Sequence, residues 1–183
     1  NDAIAVLKKL KMDNNAESTS LQDSGGVKKG EPTIKTDAPK VTSLNPKVLE
    51  AAQRTIAEAK ARGFDIGIHS GLRTADEQNK LYAQGRTGPG EIVTNAKAYE
   101  SWHCLGLAVD LVFKVTGLWT WNRPFAEWEQ LGAIGKLSGF QEWGGDWIKL
   151  RDFPHFQIRG KLTIKEAKAL LFEKNIEAVW ALI

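Results

Sequence analysis

The sequence predicts one folded α+β domain that follows a polar arm. Segments with helical apolar spacing and short strand-like segments are mixed along the chain, without the regular alternation of a doubly wound sheet. The chain has 183 residues, 42% of them hydrophobic, which suffices for one domain with a real core. No internal repeat divides it.

The first 42 residues are predicted to be an arm. Residues 2–11 could form a short amphipathic helix, although a helix of this length is marginal in water. Polar residues, Gly and Pro dominate residues 13–42, which therefore cannot bury enough apolar surface to fold. We expect a short helix plus a flexible linker in residues 1–42, and the folded domain in residues 43–183. The short helix is predicted to pack weakly, with tethering, partner contact or contact with a membrane surface as the alternatives.

Four segments of the domain are predicted to be helices, because apolar residues recur with helical spacing after an N-terminal signal. The signals are Asn45–Pro46, the capping box "TADE" of residues 74–77, Asn122 with Pro124, and the capping box "TIKE" of residues 163–166. Gly63 and Gly85 end the first two helices. In the third helix, Phe125, Trp128 and Leu131 should lie on one side.

Three short segments are predicted to be strands. They are "FDIGIHS" (64–70), which alternates, "GLAVDLVF" (106–113), which is rich in branched residues, and "FPHFQI" (153–158). The Gly- and Pro-rich stretch of residues 86–97 predicts a loop, and "GFQEWGGDW" (139–147) a loop or hairpin.

Composition excludes several classes of function. The net charge of +3 without a basic block argues against nucleic-acid binding. A single cysteine, Cys104, excludes an internal disulfide and a cysteine-rich zinc finger. No apolar run has the length of a membrane span. No secretory signal is visible, and the chain does not begin with Met, which is consistent with a mature or trimmed form.

Four residues are candidates for metal chemistry. His103 precedes the strand that carries Asp110, and His155 lies on another predicted strand, so neighbouring strands could bring the three to one point as zinc ligands. Asp152, three residues before His155, could then take a proton from water on the metal. Spacing alone leaves the alternative open that these histidines are structural, and the H-E-x-x-H helix of many zinc peptidases is absent.

The pattern S-x-H-x-x-G-x-A-x-D of residues 101–110 resembles a family of zinc peptidases. The family includes D-alanyl-D-alanine carboxypeptidases and L-alanyl-D-glutamate endopeptidases of bacterial cell walls and phage endolysins. The blocks of residues 70–96, "WGGDW" (143–147) and "DFPHFQ" (152–157) resemble the same family in the same order, and the endopeptidase branch most. The resemblance implies a small antiparallel central sheet that carries a zinc site and is flanked by helices, as in hedgehog signalling domains.

The resemblance also implies roles for individual residues. His103, Asp110 and His155 would hold one zinc ion, with Asp152 as the general base. Many relatives have Glu at that last position, but Asp is usual in the endopeptidase branch. Arg73 would meet a substrate carboxylate or the developing oxyanion, because its guanidinium is planar and always charged.

Further residues are predicted to contact the substrate or to flank its cleft. Ser101 and Gln78 would line the pocket or support residues that do. Arg86 would pair with substrate, with a loop-anchoring ion pair as the alternative, and Trp143, like Trp147, would flank the cleft. We expect His69 to be structural or at the cleft edge and Cys104 to be a packed thiol.

The predicted function is a zinc-dependent peptidoglycan peptidase that hydrolyses an amide bond of the stem peptide, with L-Ala–D-Glu as the implied bond. One alternative is a D-alanyl-D-alanine carboxypeptidase. Another is a zinc-containing binding module without turnover, as in hedgehog domains. Such an enzyme would act in the periplasm or cell wall, or be delivered by a phage.

Overall fold

One antiparallel sheet of five strands organises the fold and confirms the predicted α+β class. Its order is β1-β2-β5-β4, and β3 pairs with β2 on the same edge as β5. The strands are β1 (Ile66–Ser70), β2 (Ala108–Val115), β3 (Leu118–Thr120), β4 (Glu142–Trp143) and β5 (His155–Gln157). The sheet is therefore built around β2, which has a neighbour on each edge.

A computed structural model describes residues 42–183, all of which belong to one compact unit. The predicted helix of residues 2–11 and almost all of the predicted linker lie outside the described residues. Within residues 42–183, no helix is long and apolar enough to cross a membrane.

In the part of the chain that the structure describes, five α-helices accompany the sheet, and their starts match local signals in the sequence. They are α1 (Pro46–Ala61), α2 (Ala75–Ala83), α3 (Phe125–Leu137), α4 (Ile164–Glu173) and α5 (Ile176–Trp180). Asn45 caps α1 by accepting a hydrogen bond from the Lys47 N–H, and complete capping boxes open α2 at Thr74 and α4 at Thr163.

The core lies on one face of the sheet. Val109, Leu111 and Phe113 alternate along β2 toward this face and pack with residues of α1 and α3. Phe113, for example, meets Trp128 of α3 edge to face, with ring centroids 4.8 Å apart. Asp110 of the same strand points to the opposite face, as period-two alternation requires, and this face carries the candidate site.

The structure adds three details to these predictions. Phe125 neighbours the Phe153 ring, as Trp128 does, but it is 44% exposed, so only Trp128 and Leu131 belong to the core. The hairpin strand β3 was not predicted, because it has only three residues and they are largely exposed. The C-terminal segment contains two helices, since Asn175 interrupts the first and caps the second through the Ala178 N–H.

Candidate metal centre and active site

Three predicted ligands are brought together by the sheet and by one short turn. Asp110 of β2 and His155 of β5 are directly paired across the two strands. His103 lies in a 3₁₀ turn, Trp102–Leu105, that Gly106 ends with a φ of +67°. A Cβ on Gly106 would lie 2.6 Å from the Ser43 carbonyl oxygen, so only glycine fits this tight passage into β2.

The distances within this triad suit a small metal ion. His103 Nε2 lies 3.3 Å from Asp110 Oδ1 and 3.2 Å from His155 Nδ1, and the third separation, His155 Nδ1 to Asp110 Oδ1, is 3.5 Å. Tetrahedral ligands at zinc distances of about 2.0–2.1 Å are separated by about 3.4 Å. His103, Asp110 and His155 could therefore hold such an ion with little movement.

The outer hydrogen bonds of the two imidazoles aim lone pairs at the centre of the triad. His103 Nδ1 donates to the Gly71 carbonyl at 2.8 Å, which leaves Nε2 as an acceptor. His155 Nε2 donates to Gln157 Oε1 at 2.9 Å, which leaves Nδ1 as an acceptor. Two nitrogen lone pairs and the Asp110 carboxylate thus converge, an arrangement that calls for a cation.

A series of hydrogen-bonded side chains behind His155 determines its tautomer. The Gln157 amide donates to Glu142 Oε2 at 2.8 Å, so its oxygen must face His155. Arg159 in turn donates to the other oxygen of Glu142. Neither Gln157 nor Glu142 was predicted. The available signal was the "HFQ" segment, in which residues two apart on a strand share a face.

The pKa values of Asp110 and His155 are shifted in opposite directions. Burial alone would raise the pKa of Asp110, but when the imidazoles are protonated, the charge of His103 and the hydrogen bonds that both rings then donate hold this pKa well below its usual range. Burial alone would lower the pKa of His155, but the hydrogen bond and charge of Asp110 outweigh it and raise that pKa. A proton and a metal ion therefore compete chiefly for histidine.

We expect the zinc affinity to fall as the pH is lowered through the raised pKa of His155. The metal binds the neutral imidazole, so each pH unit below that pKa should cost about tenfold in apparent affinity. Asp110 adds no such dependence, because its carboxylate stays ionised. Titration against a competing chelator from about pH 5 to 8 measures the effect. A constant affinity across this range would contradict the assignment of His155 as a ligand.

Arg73 is held beside the triad by a buried glutamine. Its Nη1 donates to Gln78 Oε1 at 2.9 Å, and its Nη2 lies 3.2 Å from Ser70 Oγ and 3.5 Å from Asp110 Oδ2. Gln78 is fully buried and donates from its amide nitrogen to the Ala96 carbonyl. Gln78 therefore positions Arg73 and ties down the loop before residue 101, and it does not reach the cleft.

Asp152 lies on the loop that leads into β5. Its backbone N–H donates to the Gly144 carbonyl, and its carbonyl accepts from the His155 N–H. A Cβ on Gly144 would clash with the backbone carbonyl oxygen of Asp152, so the first glycine of "WGGDW" permits this close approach. Loss of water around the Asp152 carboxyl, and then repulsion from Asp110, raises its pKa, which suits a general base.

These groups line one cleft of about 640 Å³. Its walls come from the loop of residues 92–102 on one side and the loop of residues 147–152 on the other. Its floor is the triad, with Arg73 and Asp152 beside it. The size and the convergence of polar groups match a site for a short peptide segment.

The remaining predicted contacts divide into two groups. Ser101 lines the cleft, as does Trp147, whose ring lies 5.1 Å from that of His155. Trp143 does not, which corrects the expectation of substrate contact. Its side chain is 4% exposed, packs under Gly132 and Gly145, and donates from Nε1 to the Phe153 carbonyl.

Arg86 also lies away from the cleft lining. Its guanidinium donates to the carbonyls of Tyr82 and Thr94 and to Asn95 Oδ1. It thus anchors the loop by hydrogen bonds, where an ion pair was the predicted alternative to substrate contact. Cys104 is buried, as expected.

Comparisons with known proteins agree in pointing to peptidases. A family profile described as D-alanyl-D-alanine carboxypeptidase matches residues 94–158. The chain is 38% identical over 130 residues to the peptidoglycan L-alanyl-D-glutamate endopeptidase CwlK of Bacillus subtilis (strain 168), which covers 67% of this chain and 77% of that protein. It is 26% identical over 122 residues to the L-alanyl-D-glutamate peptidase of Listeria phage A118, covering 66% of this chain and 40% of that one.

Among solved structures, the chain is similar to the L-Ala D-Glu endopeptidase ChiX of Serratia marcescens. The TM-score is 0.49 at 24% sequence identity, and the match covers 69% of this chain and 85% of that chain.

Proposed function

Since this chain belongs to the D-alanyl-D-alanine carboxypeptidase family of peptidases, we propose that it is a zinc-dependent peptidoglycan peptidase that hydrolyses the L-Ala–D-Glu bond of the stem peptide. The observation that carries the proposal is the convergence of two imidazoles and a carboxylate at the floor of a cleft that also holds Asp152 and Arg73. The identity to the Bacillus endopeptidase supports the choice of bond.

One zinc ion per chain is proposed, with His103, Asp110 and His155 as its ligands. Their separations and the tautomers set by Gly71 and Gln157 fit this ion. When bound, zinc supplies a Lewis acid that lowers the pKa of water and polarises a carbonyl.

Two residues of the chain then transfer the proton and stabilise the developing charge. Asp152 takes a proton from the attacking water and returns it to the leaving amine, a cycle that its raised pKa favours. Arg73 stabilises the negative charge that develops on the attacked carbonyl oxygen, or binds a substrate carboxylate. Gln78 and Ser70 hold the guanidinium for this purpose, so little reorganisation is required.

A carboxypeptidase that releases terminal D-Ala is the second candidate, and the description of the matching family profile favours it. In that reaction Arg73 would bind the free C-terminal carboxylate. The two candidates leave different products from one substrate.

Digestion of purified peptidoglycan by the zinc-loaded protein, followed by mass spectrometry, is expected to release stem peptides that begin at D-Glu. Free D-Ala would identify the carboxypeptidase instead. Absence of any product from a protein that retains zinc would contradict both and favour a binding module without turnover. The matched control is the same protein after chelation, which should yield no product.

The substrate implies a place of action. We propose that the protein works on the cell wall, outside the cytoplasm or after delivery by a phage, as the names of its relatives suggest. Tethering through residues 1–42 stays a proposal, and truncation of those residues followed by a wall-binding assay would test it.

A further inference from the structure

Three exposed aromatic side chains form a cluster outside the cleft. The His69 ring meets the Trp119 ring at a centroid distance of 5.3 Å and the Trp121 ring at 4.9 Å, in both cases edge to face. Trp119 is 38% exposed and Trp121 is 51% exposed. We call His69, Trp119 and Trp121 the aromatic platform. Neighbouring exposed aromatic rings offer an apolar surface that a ligand can cover.

The platform lies on the same face of the sheet as the candidate metal site. Along β2, Asp110 and Lys114 point to this face, and Trp119 of β3 is paired with Lys114. Gly67 of β1 has no side chain, and Trp119 lies across it: a Cβ there would be 3.1 Å from the indole. Lys114 lies four positions along β2 from Asp110, or about 13 Å, whereas His69 adjoins Ser70, the β1 residue paired with Asp110, so the platform extends from beside the triad to about 13 Å from it.

A cation completes the platform. Lys114 Nζ lies 4.5 Å from the centroid of the Trp119 ring. Among residues 42–183, no carboxylate lies within 4.0 Å of this amine, whereas Lys136 and Lys168 are paired with acids. The Lys114 ammonium lies against Gly67 and the Trp119 ring, and without an acidic partner among these residues it keeps N–H donors for oxygen atoms of a ligand at the edge of the indole.

These features match the chemistry of a sugar ring. A pyranose presents C–H bonds on its flat faces, which pack on the negative face of an aromatic ring, and hydroxyl and acetyl oxygens at its edge, which accept from an amine. Aromatic side chains with one polar neighbour would therefore suit a glycan better than a further peptide segment, which needs backbone hydrogen-bonding partners.

If the proposed function holds, the distance of the platform from the metal site also matches the reach of the glycan from the cleaved bond. In peptidoglycan, L-Ala joins the stem peptide to an amino sugar, so the L-Ala–D-Glu bond lies one residue from the glycan. That residue and the linking group span about 7 Å, so the carrier sugar and its neighbour reach about 13 Å from the cleaved bond. The D-Ala end of the stem is several residues farther away.

We propose that the aromatic platform, with Lys114, is a glycan-binding subsite that holds the sugar chain while the attached stem peptide occupies the cleft. It would direct the enzyme to stem peptides that are still attached to glycan. Free peptides would use the cleft alone.

Two measurements test the subsite with the full chain. The first is the affinity for peptide-free glycan chains immobilised on beads, and the second is the ratio of KM for a disaccharide-linked stem peptide to KM for the free peptide. We expect Trp121→Ala and Trp119→Ala each to weaken binding to the beads and to raise the KM ratio by about tenfold. Trp121→Phe, which keeps an aromatic ring, should retain part of the bead binding and show a smaller rise in the KM ratio than Trp121→Ala.

Leu137→Ala is the matched control, because Leu137 is 83% exposed at the end of α3, the helix that packs on the other face of the sheet. It should keep the wild-type affinity and ratio. Equal binding by the wild type and Trp121→Ala, or an equal rise of KM for both substrates, would overturn the subsite. If the wild type cuts neither substrate, the proposed function fails, and the bead assay still decides the subsite.

Discussion

Replacement of Asp152 by Asn is expected to reduce kcat by about 10²- to 10⁴-fold while the protein keeps one zinc ion per chain. The substitution removes the group that accepts the proton from water and leaves a side chain of the same shape. The loop should stay in place, because it is held by the backbone of Asp152, which bonds Gly144 and His155. Steady-state hydrolysis and zinc content, measured on the same preparation, check both parts.

Asp146→Asn is the control for Asp152. Asp146 belongs to the same connection between β4 and β5, but it is exposed, lies outside the cleft lining and pairs with Lys136 at 2.8 Å. Its kcat should stay within about twofold of wild type, since exposed ion pairs contribute little. Loss of zinc together with activity in Asp152→Asn would mean that Asp152 is a ligand, and an unchanged kcat would exclude it as the base.

Replacement of His103 by Ala is expected to weaken zinc binding by more than about 100-fold and to remove most of the stabilisation that zinc confers. Free zinc at 1,000 times Kd stabilises a protein by about 4 kcal/mol. For a domain of this size that corresponds to a rise in Tm of about 10 °C. Thermal unfolding with zinc and with excess chelator measures this difference in each protein.

The difference in Tm between zinc and chelator separates the loss of metal binding from the loss of packing. His103 is 3% exposed, and its Nδ1 bonds the Gly71 carbonyl, so its loss also destabilises the metal-free protein. At the same free zinc, binding that is 100-fold weaker leaves the ion at about 10 times Kd, so the zinc-dependent rise in Tm of His103→Ala should be at most about one third of the wild-type rise. His69→Ala, an exposed histidine outside the triad, should keep both its zinc and the zinc-dependent rise. A rise of wild-type size in His103→Ala would exclude His103 as a ligand.

Local features of the fold could be predicted because their causes are local. The side chains of Asn45, Thr74 and Thr163 bond backbone groups two or three residues away, so a few adjacent residues indicate where α1, α2 and α4 begin. The strand β3 escaped prediction because it has three residues and is stabilised by pairing with β2, which no pattern within it reveals.

The chemically active residues of the candidate site could also be predicted, but the side chains that support them could not. Histidine, aspartate and arginine carry recognisable chemistry, and the family resemblance named which of them to expect. The side chains behind them were missed, because Gln157 and Glu142 acquire their role only when β4 pairs with β5. Trp143 and Trp147 look equivalent in the sequence, and only the course of the loop between them decides that one is buried and the other lines the cleft.

The sequence by itself thus determined the fold class, the order of most elements and the set of chemically competent residues, because these depend on residue type and on contacts close along the chain. Tertiary structure alone decided the pairing of Asp110 with His155, the tautomers of both imidazoles and the burial of Gln78 under Arg73. It also placed the aromatic platform on the same face as the triad. The physical reason is that strand register and hydrogen-bond direction are set by partners distant in the chain, which no local pattern encodes.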